Sequence, residues 1–459
     1  MERMEGVDAG YLYMETPTQH MHTLKIAIIE PAPGLSFEAF STGLLDRLDD
    51  LPPLRRRVLP VPFALNHPMW VADRPIDPKR HFFQRQVPAP GGMAELEEVV
   101  GRIAGTPLAR DVPLWEIHLC EGLAGGRVAV VAKLHHAIAD GNAANALLAN
   151  VTDEAAAGRP RPTVGSGLEP TPGRAALVRS ALVDAIVQIG SVPGLVWRTA
   201  RALVALVAHK RRSSVATPRP VLDAPRVSFN GPLSSRRVFA TCSLPLEKIK
   251  EVGRQHDVSV NDVVLAVVAG ALRSWMDERG ERPLSSLLAG VPVGTDKRGA
   301  PPRLGGNRVS NLFTTLATDV DDPVARLQLI SRTTREAKQV QSTLGLEMLA
   351  DWVQFTPPAP FSAGMRLYSR SRAASLHHAP FNVIVSNVPG PRVPAQVERA
   401  RLSDLFSVGP ILEGIGLNIT AWSYVDRMNF SALSCPELVS DLGSLMSRFR
   451  SALDELERP

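Results

Sequence analysis

A mixed α/β chain in two domains is what the sequence predicts, on three observations. Short runs of β-branched and small apolar residues, such as Val128–Val131, read as buried strands. Longer amphipathic runs, such as Phe37–Leu51, read as helices between them. At 459 residues the chain is long enough for two domains, and Ala155–Pro172, rich in Gly, Pro, Ala and Thr, reads as a linker.

Taken in order, Leu24–Glu30 is the first strand and Phe37–Leu51 the first amphipathic helix. Arg55, Arg56 and Arg57 form a charge run that solvation explains more readily than phosphate contact. Phe82–Val87 is a strand and Gly92–Ala104 a helix. Pro113, Leu114 and Trp115 lead into strand Ile117–Glu121, which the tight turn Leu123–Gly126 joins to the Val128 strand as a hairpin. Asn142–Val151 opens a helix with Asp140 or Asn142 as its cap. Beyond the linker, Ala175–Ile189 and Leu195–Ala208 read as two helices broken at Gly190, Pro193 and Gly194. Seven cations in and around them (Arg174, Arg179, Arg198, Arg201, Lys210, Arg211, Arg212) face one acid, Asp184. Such helices lie in a membrane interface or pack on the protein itself.

The second domain begins near Arg226. Arg237–Leu244 is a strand, Leu246–Gln255 a helix, and Asn261 and Asp262 cap a strong apolar helix, Val263–Met276. Strands Leu287–Val293 and Val309–Leu316 flank Gly305-Gly306-Asn307-Arg308, whose glycines follow prolines and form no phosphate loop. Val324–Leu344 is helical. Strand Phe381–Val385 runs into Ser386-Asn387-Val388-Pro389-Gly390-Pro391, where the prolines and glycine set a sharp turn. Leu417–Trp422 and Met428–Leu433 pair through Asp426-Arg427, and helix Leu438–Glu457 closes the chain.

Composition narrows the function. The chain is 44% hydrophobic and 21% charged, with a net charge of +5 and a pI near 9.3. Mild basicity fits an anionic partner, while 5% aromatics offer no stacking platform for nucleic acid. Three scattered cysteines point to a reducing, cytoplasmic compartment without a zinc site. His20 and His22 lack further ligands at metal spacing. The first residues hold no signal-peptide core, and no run of about 18 apolar residues predicts a spanning helix.

The chemistry gathers at Val128–Gly141, where a strand runs into His135 and His136 and, three residues on, Asp140 and Gly141. Neighbours on a strand point to opposite faces, so one imidazole can face a cavity while the other is held by the scaffold. Neutral imidazole is the commonest side-chain base near pH 7. The residues read as a general base on a rigid strand end, with Asp140 fixing the loop.

His135-His136-Ala-Ile-Ala-Asp140-Gly141 resembles the HHxxxDG motif of the coenzyme A-dependent acyltransferase superfamily. With the opening around Asp8, Pro113-Leu114-Trp115, Asn261-Asp262, Ser386-Asn387-Val388-Pro389-Gly390-Pro391 and Ser423-Tyr424, the chain resembles bacterial wax ester synthase/diacylglycerol acyltransferases from end to end. The resemblance implies an α+β sandwich of two chloramphenicol acetyltransferase-like domains forming a pseudo-dimer, with the histidines midway along a central tunnel. It implies domains at 1–160 and 225–459, joined by 161–224 with its basic helices. It implies acyl transfer from acyl-CoA, a substrate rather than a resident cofactor, to diacylglycerol or a long-chain alcohol. His136 would be the base, supported by His135, Asp140 and Gly141. Asn261 and Asp262 would serve the oxyanion or the structure. Pro113, Leu114, Trp115, Ser386 and Asn387 would line the tunnel. Peripheral association with a membrane or lipid-droplet surface is the matching expectation. The alternative is a non-catalytic lipid- or acyl-CoA-binding relative that docks on membranes.

Overall fold

Two six-stranded sheets carry the molecule, and each contains a hairpin that its turn residues announce. The computed structural model describes all residues except 1, 35, 152–167, 214, 216, 220–221, 298, 346–347, 398 and 458–459, so most of the expected linker lies outside the described residues. The N-terminal sheet holds β1 (His22–Ile29), β2 (Phe82–Gln86), β3 (Trp115–Glu121) and β4 (Val128–His135). The C-terminal sheet holds β5 (Val238–Pro245), β6 (Leu288–Gly294), β7 (Val309–Thr315), β8 (Val383–Val388), β11 (Leu417–Tyr424) and β12 (Arg427–Ser434) in the order β7-β6-β8-β11-β12-β5. Between the last two groups in sequence, β9 (Gln396–Val397) and β10 (Ala400–Val408) leave the C-terminal half. β10 pairs antiparallel with β1, giving the N-terminal order β9-β10-β1-β4-β3-β2. A cut at residue 225 therefore does not separate the sheets.

Alternation along β1 and β4 explains how the N-terminal sheet is covered. Leu24, Ile26, Ala129 and Val131 share one face and pack against Leu96, Val99 and Ile103 of the helix Met93–Ala104. Ile29, Val130 and Leu134 on the other face pack beneath Phe40 and Leu44 of α2 (Phe37–Arg47) and Leu147 of α4 (Gly141–Val151), with α1 being Gly6–Met14 and α3 the helix Met93–Ala104. α3 also reaches across the halves: Thr241 of β5 donates through its N–H and its hydroxyl to Glu97 Oε1, both at 2.7 Å.

Two helices test the sequence reading. α5 (Arg174–Arg212) is one 39-residue helix, not two. Pro193 is exposed, so the carbonyl its missing N–H leaves unpaired can turn to water, and the helix continues through it. α5 is also long and apolar enough to cross a bilayer, with a mean hydropathy of 1.5 over its best window, which a search for unbroken apolar runs overlooks. It lies along the protein surface instead. Leu177, Ala181 and Leu195 are buried, Asp184 pairs with Arg3, Arg198 with Asp351 and His209 with Glu336. After α6 (Leu246–Gln255) comes α7 (Val260–Arg279), in which every residue from Asp262 to Leu272 is buried. Burial of each Val or Leu there is worth roughly 1.5–3 kcal/mol. Ser259 is its N-cap, and Asp262, at the third helical position, completes a capping box by accepting from the Ser259 N–H at 3.0 Å. Asn261 and Asp262 are thus helical residues, not caps.

Candidate active site

β4 ends at His135, and the next peptide turns out of the sheet: the His136 N–H donates to the Met21 carbonyl at 2.7 Å. The loop to α4 is short, and Asp140 is the cap that starts the helix, its Oδ1 accepting from the Ala143 N–H at 2.9 Å. Its other oxygen accepts from Arg303 Nη2 at 2.7 Å and from the Arg308 N–H at 2.8 Å. Residues 303–308 belong to the other half of the chain and lace onto this loop. The Gly306 N–H donates to the Ile138 carbonyl at 2.7 Å, with Gly306 at φ +75°. A Cβ on Gly305 would lie 2.9 Å from Pro53 and 3.2 Å from the Ile138 carbonyl. The glycine pair thus permits a close approach to the histidine loop.

That approach delivers Asn307 to His136. Asn307 Nδ2 donates to the His136 carbonyl and to Asp8 Oδ1, both at 2.8 Å. A carbonyl only accepts, so the amide nitrogen must face it and the amide oxygen must face the ring. Asn307 Oδ1 is 3.0 Å from His136 Nδ1. The ring proton is therefore assigned to Nδ1, which leaves Nε2 bare, without a hydrogen-bond partner among the described residues. Tyr11 stacks on the ring at 4.3 Å between centroids. Burial lowers the His136 pKa to about 4; Asp140 and Asn307 oppose the fall and Lys25 adds to it. At neutral pH the imidazole is uncharged and basic at Nε2. Behind Asn307, burial raises the Asp8 carboxyl to about 7, against the hydrogen bond from Asn307.

His135 points the other way, as strand alternation requires. It is fully buried, its Nδ1 accepts from the Ala137 N–H at 3.0 Å, and its Nε2 lies 3.2 Å from Glu15 Oε1. Burial alone would push Glu15 up, but His135 and Arg110 hold its carboxylate down at about 2.

His136 stands on the wall of a cavity of about 390 Å³ between the two halves. Thr23, Lys25, Asp140 and Gly141 line it from one half; Pro292, Ser310, Ser386 and Thr420 line it from the other. Of the tunnel residues expected from sequence, Ser386 is on this wall, while Pro113, Leu114, Trp115 and Asn387 are not among its lining residues. Trp115 is buried beneath the sheet, donating from Nε1 to the Leu54 carbonyl at 2.7 Å, and the Leu114 carbonyl accepts from the His135 N–H at 2.9 Å. The Pro-Leu-Trp segment braces the histidine strand from its neighbour. Asn261 is turned to Asn387, whose Nδ2 is 3.5 Å from its Oδ1, and Asp262 accepts from Ser259 and Ser331. Neither Asn261 nor Asp262 lines the cavity, so an oxyanion role has no support in their placement.

Asp8, Tyr11, Lys25, Arg303 and Asn307 are site residues that sequence reasoning did not single out for a role. Lys25 carried a signal, as a lone charge within the apolar strand around it. Asn307 carried a weaker one, directly after two glycines.

Residues 4–264 match the wax ester synthase/diacylglycerol acyltransferase catalytic domain, and residues 305–457 match the C-terminal domain of that family. A Mycobacterium tuberculosis protein named as a diacylglycerol O-acyltransferase is 38% identical over 445 residues, covering 96% of this chain and 92% of that protein. Another of that species and designation is 32% identical over 463 residues, covering 99% and 96%. The solved wax ester synthase/diacylglycerol acyltransferase from Marinobacter aquaeolei VT8 superposes with a TM-score of 0.68 at 26% identity, covering 100% of this chain and 99% of that one. The first condensation domain of the CDA synthetase shares the fold, with a TM-score of 0.61 at 17% identity.

Proposed function

The chain belongs to the wax ester synthase/diacylglycerol acyltransferase family, and on that premise we propose that it transfers a long-chain acyl group from acyl-CoA to the hydroxyl of diacylglycerol, with long-chain alcohols as a second class of acceptor and His136 as the general base. One observation carries the base assignment: the His136 ring is held by Asn307 as the Nδ1–H tautomer on the wall of the cavity between the halves. The acceptor hydroxyl donates its proton to Nε2 as its oxygen attacks the thioester carbonyl carbon. The C–S bond then breaks, and the proton passes from the imidazolium to the departing thiolate of coenzyme A. The imidazolium formed in between is stabilised by Asn307 Oδ1 and by nearby Asp140. Ser310 and Ser386 are among the hydroxyl donors that line the cavity from the other half and could serve the tetrahedral oxyanion. The route needs neither a covalent enzyme intermediate nor a resident cofactor.

The test is release of free coenzyme A thiol from palmitoyl-CoA with diolein as acceptor. His136→Ala should abolish release in a protein that keeps its circular dichroism spectrum. A folded variant with full activity removes the base assignment, and a wild-type chain that binds acyl-CoA without releasing thiol favours the non-catalytic relative.

We also propose that the enzyme reaches its acceptor by docking α5 on an anionic membrane or lipid-droplet surface. Leu182, Ile186, Ile189, Trp197, Val204 and Val207 recur at helical spacing on the side away from the buried Leu177, Ala181 and Leu195, and all are exposed. Arg201, Lys210 and Arg211 are exposed beside them, without an ion pair among the described residues. Ties to the body along its length favour a helix lying in the interface over one that crosses it. Phosphatidylglycerol vesicles should co-sediment the chain better than phosphatidylcholine vesicles, and Ile186→Asp with Val204→Asp should lower binding at least about tenfold. Unchanged binding would reject α5 as the docking element. The free cysteines support the cytoplasmic side of the membrane.

A further inference from the structure

Asn307 holds the His136 ring, so the Asn307 amide must itself be held. Among the described residues its side chain makes three hydrogen bonds. Two go to His136, at 3.0 Å to the ring Nδ1 and 2.8 Å to the carbonyl, and the third goes to Asp8 Oδ1 at 2.8 Å. The first two bind the amide to the residue it orients. Asp8 alone ties it to a different element. Were the amide to turn over, its NH₂ would face His136 Nδ1, and the ring proton would move to Nε2, the nitrogen that must stay bare.

α1 is built to hold still. Ala9 and Tyr13 are buried in the core of the N-terminal half, and the Tyr13 hydroxyl lies 2.8 Å from His67 Nδ1. The Gly6 N–H donates to Gln354 Oε1 at 2.6 Å, and a Cβ on Gly6 would overlap the Gln354 backbone. Just before the helix, Glu5 Oε1 accepts from Arg308 Nη2 at 3.2 Å, so the start of α1 also grips the residue after Asn307. Three residues beyond Asp8, on the same side of the helix, Tyr11 stacks on the His136 ring. One helix thus supports the ring face and, through Asp8, the amide at its edge. Burial raises the Asp8 carboxyl to about 7, so both of its forms occur near neutral pH. Oδ1 faces an N–H, so the proton of the neutral form sits on Oδ2, and Oδ1 accepts in either state.

We propose that Asp8 is a positioning residue for acyl transfer: it fixes the Asn307 amide and, through it, the Nδ1–H tautomer of His136. A base oriented by a second group that is oriented in turn by a third is a general arrangement for activated sites. The effect on rate rests on the reading of His136 as the base; the effect on the tautomer does not.

The experiment uses the purified full chain with 15N-labelled histidine, the His136 signals being assigned by their loss in His136→Ala. The wild-type ring should show its proton on Nδ1. In folded Asp8→Ala, and in Asp8→Leu, which keeps the volume, the second tautomer should appear. With palmitoyl-CoA and diolein, both variants should lose about tenfold in kcat with each KM little changed. Asp8→Asn, which retains the acceptor oxygen, should keep the tautomer and stay within about threefold of wild type. Asp8→Ala combined with Asn307→Ala should lose no more than about twofold beyond Asn307→Ala alone, because Asp8 acts through that amide. Losses that multiply overturn the proposal, since a merely structural role would be independent of Asn307. A rise in KM alone also overturns it. If His136→Ala abolishes thiol release while the ring tautomer is unchanged in Asp8→Ala and Asp8→Leu, the role of Asp8 falls and the base assignment stands. If those variants shift the tautomer while His136→Ala stays fully active, the hold of Asp8 on the ring stands and the base assignment falls.

Discussion

His135 and His136 are adjacent, identical in chemistry and both enclosed by protein, yet they serve opposite ends. His135 is turned into the scaffold against Glu15, with its Nδ1 consumed by a backbone N–H. His136 is turned toward the cavity, with its Nδ1 held by Asn307 and its Nε2 left bare. Strand alternation separates the two directions, but the partner atoms decide which ring can take a proton from a substrate. The pair shows that residue type sets what a side chain can do, while its neighbours set what it does.

The largest test of this contrast is the His136→Ala variant, which should lose roughly 10²–10⁴-fold in kcat, the range of a general base, while His135→Ala stays within about tenfold of wild type. Equal losses would erase the distinction. Next, Asn307→Ala frees the ring to rotate and choose either tautomer. It should lower kcat roughly tenfold to a hundredfold with KM little changed, measured by steady-state kinetics; a KM effect alone would make Asn307 a substrate contact instead of a positioning residue.

The pH dependence sharpens the comparison further. The acid limb of kcat/KM should be centred near the lowered His136 value of about 4, far below the 6.5 of free imidazole. A limb at 6.5 would mean that the ring is not desolvated. For stability the sign is fixed by the same depression. The contribution of neutral His136 is complete above the unfolded value of 6.5 and is lost as pH falls toward about 4, because the unfolded chain takes the proton first. His135, also lowered by burial, acts in the same direction. Asp8 opposes them: its raised pKa contributes stability that is full below 3.8 and lost as pH rises through about 7. Chemical denaturation at pH 7.5 and pH 5 should therefore show a smaller acid loss in His136→Ala than in wild type. The smallest expected effect is that of His135→Ala on stability, about 1–3 kcal/mol from the group left without its partner at Glu15.

Much of this was legible in the chain itself. Hairpin β3–β4 followed from its glycine turn, helix α4 from a cap at Asp140 or Asn142, of which the structure uses Asp140, and the opposed faces of His135 and His136 from alternation. Asn307 was not legible, because it meets His136 from 171 residues away through a backbone approach that only Gly305 and Gly306 permit. Pro-Leu-Trp announced a place beside the histidine strand without saying on which side of the sheet it would lie. α5 and α7 look alike in apolar content, yet α7 is a buried core helix and α5 presents its apolar stripe outward. Composition does not say what covers a helix. β10 escaped notice because Arg401 and Asp404 interrupt its apolar run.

β10 also bears on how the protein is made. The free edge of β1 is covered by a strand that leaves the ribosome more than 370 residues later. Until then the nascent first half presents an open row of amide and carbonyl groups, a template for pairing with other chains. Asn307, too, emerges long after the histidine it orients. The reaction centre is thus a product of the finished polypeptide, and two separately expressed halves would each carry a sheet, or a strand, that only the other can complete.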